Sequence, residues 1–73
     1  MITSDAFRGK RYAVLGLARS GLATVRSLVA SGADVTAWDT REEAREQVEG
    51  DVAFANPMEI DLAGFDGLVL SPG

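Results

Sequence analysis

The stretch YAVLGLARSG, residues 12–21, passes from an apolar run through a glycine turn into the start of a helix. Its first four residues favour a buried strand, and helical spacing of apolar residues begins after Gly21. A strand that turns directly into a helix aims unpaired backbone N–H groups and the positive end of the helix dipole at one point. The stretch therefore predicts a loop that binds an anion such as a phosphate group.

Composition limits the chain to one small acidic domain. It has 73 residues, no cysteine and no histidine, so disulfides and the usual zinc ligands are absent. A formal net charge of −4 argues against nucleic acid or an anionic membrane surface as the main partner. Neither a membrane-spanning apolar run nor a signal-peptide pattern is present in the sequence. We therefore expect a cytoplasmic protein.

Strand-like and helix-like segments alternate along the chain. The predicted strands cover residues 11–15, 34–39, 51–54 and 68–70, and the predicted helices cover residues 20–31 and a stretch that begins at Thr40. Gly32 is expected to end the first helix. Thr40 and Glu43 have the spacing of a capping box for the second. Residues 57–65 are compatible with either a short irregular helix or a packed loop.

This alternation predicts an α/β fold, namely a Rossmann-like open parallel sheet with strand order 3-2-1-4 and helices on both faces. The order reverses between strands one and four, and ligands of such sheets bind at that reversal. The turn at 16–21 and the turn at 71–73 should therefore face each other across one crevice. Strand four would be an unpaired apolar edge. We accordingly expect an incomplete domain, the front portion of a longer protein.

The glycine pattern of the first turn is GxAxxG. Gly16 and Gly21 fill the first and third positions of the dinucleotide-binding fingerprint, and Ala18 places a methyl group at the second. Asp39 follows Gly16 by 39 − 16 = 23 residues, close to the spacing of about 20 at which that fingerprint has an acidic residue. The combination favours nucleotide binding over a purely structural turn.

Several polar residues could contact a nucleotide, and each also has a purely structural alternative. Ser20 can cap the first helix or donate its hydroxyl to a phosphate, and Arg19 can pair with a phosphate or remain solvated. Asp39 can accept hydrogen bonds from a ribose or from a base N–H, or cap the second helix, for which Thr40 is better placed. Arg41 can stack on a base or face solvent.

The last turn, Ser71-Pro72-Gly73, either offers amide groups to a diphosphate or simply ends strand four. The sequence contains no Ser/His/Asp set, no Cys/His set and no GxxxxGK[ST] loop. We therefore predict no catalytic residue and no metal ligand in this segment.

Taken together, these residues resemble the N-terminal domain of the Mur ligases of bacterial peptidoglycan synthesis, most closely the branch that adds D-glutamate. The shared motifs are Gly9-Lys10, Gly16-Leu17-Ala18-Arg19-Ser20-Gly21, Asp39-Thr40-Arg41 and Ser71-Pro72-Gly73. Four matches in the same order span the whole chain. The chain departs from the family at Ala18, where the family usually has glycine.

The resemblance implies that residues 1–73 form a domain that binds the UDP moiety of UDP-N-acetylmuramoyl-L-alanine. The implied contacts are Gly16, Ala18, Arg19 and Ser20 at the diphosphate, Asp39, Thr40 and Arg41 around the uracil, and Ser71, Pro72 and Gly73 closing on the diphosphate side. ATP, Mg²⁺ and D-glutamate would belong to later central and C-terminal domains. By resemblance, the fragment alone would bind no cofactor and would be inactive as a ligase.

Two other functions remain open at the level of sequence. Asp39 also suits the front half of an NAD-binding oxidoreductase or an NAD-sensing regulatory domain. The triplet at 39–41 and the turn at 71–73 weaken that interpretation. A module that binds a nucleotide or a protein without catalysis is the third alternative.

Overall fold

The computed structural model describes residues 5–71, which form an open sheet of four parallel strands with two α-helices. The strands are β1 (Arg11–Leu15), β2 (Asp34–Trp38), β3 (Ala53–Phe54) and β4 (Gly67–Leu70). The helices are α1 (Arg19–Ala30) and α2 (Glu42–Glu46), preceded by a 3-10 turn at Asp5–Phe7. The sheet order is β3-β2-β1-β4 with parallel pairing throughout. The predicted Rossmann-like sheet and its strand order are confirmed.

β1 lies at the centre of the sheet because its apolar residues can be buried on both sides. Val14 pairs with Ala37 of β2 and with Val69 of β4. Ala13 and Val14 are both 0% exposed. Because β1 has neighbours on each side, its carboxyl end is held between the ends of β2 and β4.

One hydrophobic core joins the helices to the sheet. Its buried members are Val14, Leu17, Val25, Leu28, Val35, Ala37, Ala44 and Val48. The strand members of this set alternate along β1 and β2, so they share one face of the sheet. Both α-helices contribute to the core and therefore pack on that face. The expectation of helices on both faces is thus wrong for residues 5–71.

The connection between β3 and β4 crosses the other face, as a right-handed crossover requires. Between residues 55 and 66 it forms turns and contains no helix. Of the two alternatives for residues 57–65, the packed loop is therefore the observed one. On this face, Arg11 stacks its guanidinium over the ring of Phe65, 4.4 Å from the ring centroid.

The C-terminal end of α1 follows the predicted chemistry, whereas the starts of both α-helices do not: Ala18, not Ser20, is the N-cap residue of α1. Gly32 has φ +85° and donates its N–H to Val29 at 3.0 Å, as the glycine that ends a helix does. The prediction that Thr40 caps α2 is wrong, because Arg41 occupies the N-cap and makes no side-chain cap. Instead, the carboxylate of Asp39 accepts the N–H of Arg41 at 2.9 Å. This local turn delays the helix by two residues.

Glycine is required at positions 16 and 21 because three backbone segments touch there. Gly16 has φ +97°, and a Cβ on it would lie 2.6 Å from the carbonyl oxygen of Ser71. A Cβ on Gly21 would overlap the carbonyl oxygen of Gly16. The turn after β1, the first turn of α1 and the end of β4 therefore pack without side chains between them.

Gly16→Ala tests this contact, with Gly50→Ala as the matched control. Gly50 also has positive φ, +91°, but a Cβ there meets nothing within 4 Å. We expect Gly50→Ala to lower the free energy of unfolding by about 1–2 kcal/mol through backbone strain. Gly16→Ala should lower the free energy of unfolding by about 1–3 kcal/mol more than Gly50→Ala does, because Ser71 must also move. Urea unfolding followed by Trp38 fluorescence measures both losses, and equal losses would contradict the contact.

Candidate functional site

The carboxyl ends of β1, β2 and β4 surround a small open hollow of about 240 Å³. We call it the strand-end hollow. It is lined by Leu15, Gly16, Asp39, Thr40, Leu70 and Ser71. The strand order thus brings together four of the predicted site residues from three separate turns.

Backbone hydrogen bonds fix these turns relative to one another. Gly16 donates its N–H to the carbonyl of Trp38 at 2.8 Å, and Ser71 donates its N–H to the carbonyl of Leu15 at 2.9 Å. The hydroxyls of Ser20 and Ser71 are 2.9 Å apart and share a hydrogen bond. The first turn of α1 therefore lies directly against the end of β4.

α1 begins without a side-chain cap. Ala18 is its N-cap residue, with φ −70° and ψ −176°, an extended conformation that alanine adopts without strain. Its carbonyl accepts the N–H of Leu22 at 2.9 Å. Within residues 5–71, the N–H groups of Arg19, Ser20 and Gly21 have no acceptor. These donors, together with the helix dipole, are suited to bind an anion.

Asp39 connects the turn after β1 with the turn after β2. Its Oδ2 accepts the N–H of Leu17 at 2.9 Å, and its Oδ1 accepts the N–H of Arg41 at 2.9 Å. The Nε of Arg41 also reaches Oδ1, at 3.3 Å. The backbone hydrogen bond from Arg41, followed by that from Leu17, lowers the pKa of Asp39 from 3.8 to about 2. The carboxylate is therefore ionised at neutral pH.

Three further predicted residues line a second cavity rather than the hollow, and Ser20 lines neither. Ala18, Arg19 and Arg41 lie along a groove of about 550 Å³ between α1 and α2. The groove also includes Leu17, whose N–H binds Asp39. A hydrogen bond between Leu17 and Asp39 therefore joins the wall of the groove to that of the hollow. Pro72 and Gly73 lie outside the described residues, so their predicted positions stay predictions.

Two apolar residues of the hollow were not predicted as part of the site. Leu15 and Leu70 line it, and Leu70 is 64% exposed. The position of Leu70 could have been predicted from the alternation of side chains along β4. Val69 packs against the core, so Leu70 lies on the opposite face. The bond from Leu17 to Asp39 could not have been predicted in this way, because it joins residues 22 apart in sequence.

Across residues 5–71, no three His, Cys, Asp or Glu residues are grouped so that they could hold a metal ion. The helices of this part of the chain are too short or too polar to cross a membrane.

Asp39 should titrate at an unusually low pH. Its pKa of about 2 in the fold lies below the unfolded value of about 3.9. The ionised carboxylate therefore stabilises the fold above about pH 4, and this contribution is lost as the pH falls towards 2. We expect its ¹³C carboxyl resonance to have a midpoint near pH 2. The stability advantage over Asp39→Asn should shrink across the same range. A midpoint near pH 4 would contradict the hydrogen-bond geometry.

Several known proteins are similar to this chain over its whole length. The chain is 67% identical over 73 residues to the UDP-N-acetylmuramoylalanine--D-glutamate ligase of Novosphingobium aromaticivorans, covering all of this chain and 16% of the relative. It is 69% identical over 74 residues to the same-named ligase of Sphingopyxis alaskensis, covering all of this chain and 17% of the relative. For that of Zymomonas mobilis the identity is 46% over 82 residues, with all of this chain and 19% of the relative covered.

The chain spans less than a fifth of the length of these curated relatives. No protein-family model matches the chain, and no solved structure matches it. At 67% and 69% identity over its whole length, the chain belongs to the Mur ligase family and corresponds to the N-terminal part of its D-glutamate-adding branch.

Proposed function

We propose that this chain is the front domain of a D-glutamate-adding ligase and binds the UDP moiety of UDP-N-acetylmuramoyl-L-alanine. The observation that carries the proposal is the uncapped start of α1 beside the strand-end hollow. There, three unpaired N–H groups lie next to the contact between Gly16 and Ser71. The names of the relatives supply the identity of the nucleotide-linked substrate.

The start of α1 suits a diphosphate because it provides donors without requiring a basic protein. The N–H groups of Arg19, Ser20 and Gly21 can each point a partial positive charge at phosphate oxygens. Ser20 and Ser71 add hydroxyls that now bind each other and can be redirected to the ligand. The exposed guanidinium of Arg19 offers a charge-assisted bond. These local donors offset the formal net charge of −4.

The turn after β2 suits the base. Asp39 uses three acceptor positions for Leu17 and Arg41, which leaves about one of the four that a carboxylate has. One free position fits the single N–H of a uracil ring better than the paired hydroxyls of an NAD ribose. Thr40 lines the hollow beside it. Arg41 keeps 54% of its side chain exposed, so its planar group can stack on a base.

In this proposal, other parts of the ligase carry out the steps of the ligation reaction. In the proposed reaction, ATP with Mg²⁺ would phosphorylate the substrate carboxylate, and the amine of D-glutamate would attack the acyl phosphate to form an amide. The role of this chain is to hold the nucleotide end of the substrate, with Pro72 and Gly73 expected to close on the diphosphate. We propose that the ligase acts in the cytoplasm. There it would contribute to peptidoglycan synthesis and hence to cell shape and division.

Ligand titration of ¹⁵N-labelled protein tests the proposal. UDP and UDP-N-acetylmuramoyl-L-alanine should shift the amide resonances of Arg19, Ser20, Ser71 and residues 39–41, whereas NAD should not. A selective response to NAD at these positions would overturn the assignment.

Ser20→Ala tests the diphosphate contact, with Ser27→Ala as the control on the same helix, roughly 10 Å further along the axis. Loss of one hydrogen bond should reduce UDP affinity about 2- to 10-fold for Ser20→Ala. Ser27→Ala should leave it unchanged. Equal affinities for the two variants would argue against a diphosphate at the start of α1.

A further inference from the structure

The geometry points to Asp39 as a positioning residue for the diphosphate: besides the contact with the uracil proposed above, it holds the turn after β1 in place without touching the diphosphate. Such a role presupposes the UDP site proposed above. It differs from a base contact because its effect would extend to any ligand that carries a diphosphate.

Two consecutive N–H groups fix the turn after β1 to the end of β2. Gly16 donates to the carbonyl of Trp38, and Leu17 donates to Oδ2 of Asp39. Leu17 is also 1% exposed, with its side chain packed in the core. The peptide groups just before Ala18 are therefore fixed, and the N–H groups that follow Ala18, at residues 19–21, are left for an anion.

The other oxygen of the same carboxylate fixes the turn after β2. Oδ1 accepts both the N–H and the Nε–H of Arg41. The side chain of Asp39 is 11% exposed, whereas the two bonds from Arg41 lie on the exposed side of the turn. One carboxylate thus holds together two turns that are separate in sequence and adjacent in the sheet.

Charge provides an independent reason for a structural role. A carboxylate near a diphosphate repels it, so an aspartate that only faced the ligand's anionic part would weaken binding. Here the negative charge is satisfied by three donors from Leu17 and Arg41. The repulsion is thereby reduced, and the alignment of the α1 donors is retained.

Binding of pyrophosphate to Asp39→Asn distinguishes a positioning role from contact with the base or ribose, because pyrophosphate has a diphosphate but no base and no ribose. Asparagine has one oxygen acceptor, so it cannot hold Leu17 and Arg41 as the two carboxylate oxygens do. Asp34→Asn is the matched control: it removes the same charge from the other end of β2, where the side chain of Asp34 is 66% exposed. UDP and inorganic pyrophosphate are titrated against wild type and both variants by amide NMR shifts.

We expect Asp39→Asn to weaken pyrophosphate binding about fivefold or more, and UDP binding by at least the same factor, because the uracil contact is lost as well. Asp34→Asn should leave both affinities within about twofold of wild type, as surface substitutions usually do. Weaker UDP binding with unchanged or tighter pyrophosphate binding would overturn the role, because that pattern indicates direct contact with the base or ribose. Wild type that bound neither ligand would overturn the proposed UDP site itself.

Amide hydrogen exchange of the wild-type chain tests the role without any variant. The Leu17 amide should exchange slowly in the free protein, whereas the amides of Arg19 and Ser20 should be protected only after pyrophosphate is added. Exchange at Leu17 as fast as at Arg19 would overturn the role even if UDP binds.

Discussion

Two turns of this protein meet where Gly16 and Gly21 carry no side chain, and the geometry of the candidate site depends on that contact. A Cβ on Gly16 would lie 2.6 Å from the Ser71 carbonyl oxygen, and a Cβ on Gly21 would overlap the Gly16 carbonyl oxygen. Side chains at these positions would force the end of β4 away from the start of α1. Because no side chains intervene, the Ser20 and Ser71 hydroxyls come within 2.9 Å of each other beside the uncapped helix end.

An acidic protein can bind an anionic nucleotide when the donors are backbone dipoles. The chain carries a net charge of −4, yet the start of α1 presents N–H groups whose partial charges converge at one point. Asp39, an acidic side chain that lines the strand-end hollow, stays ionised, but donors from Leu17 and Arg41 partly offset its negative charge. Local geometry rather than overall charge therefore determines what this surface can bind.

Much of the fold follows from residue patterns that act locally. The alternation of apolar strands with helical segments, joined by short connections, is sufficient to predict the strand order, because parallel strands require right-handed crossovers. The glycines at 16 and 21 could likewise be predicted, since a strand that turns straight into a helix needs them. Gly32 ends α1 for an equally local reason, a left-handed backbone conformation.

What could not be predicted depends on contacts between distant segments. Thr40 has the residue type and spacing of a cap, but Asp39 makes the turn first and α2 starts later. The sequence predicted Asp39 as a candidate site residue, whereas its bond to Leu17 arises from the packing of β1 beside β2. Arg19 and Arg41 line the neighbouring groove rather than the hollow. This placement also depends on how distant segments pack against each other.

The most direct test of the central claim is a crystal structure of this chain with UDP bound. The account predicts that the diphosphate lies at the first turn of α1, within hydrogen-bond distance of the N–H groups of residues 19–21, with the uracil beside Asp39 and Thr40. A diphosphate bound elsewhere, with the start of α1 left open to solvent, would contradict it.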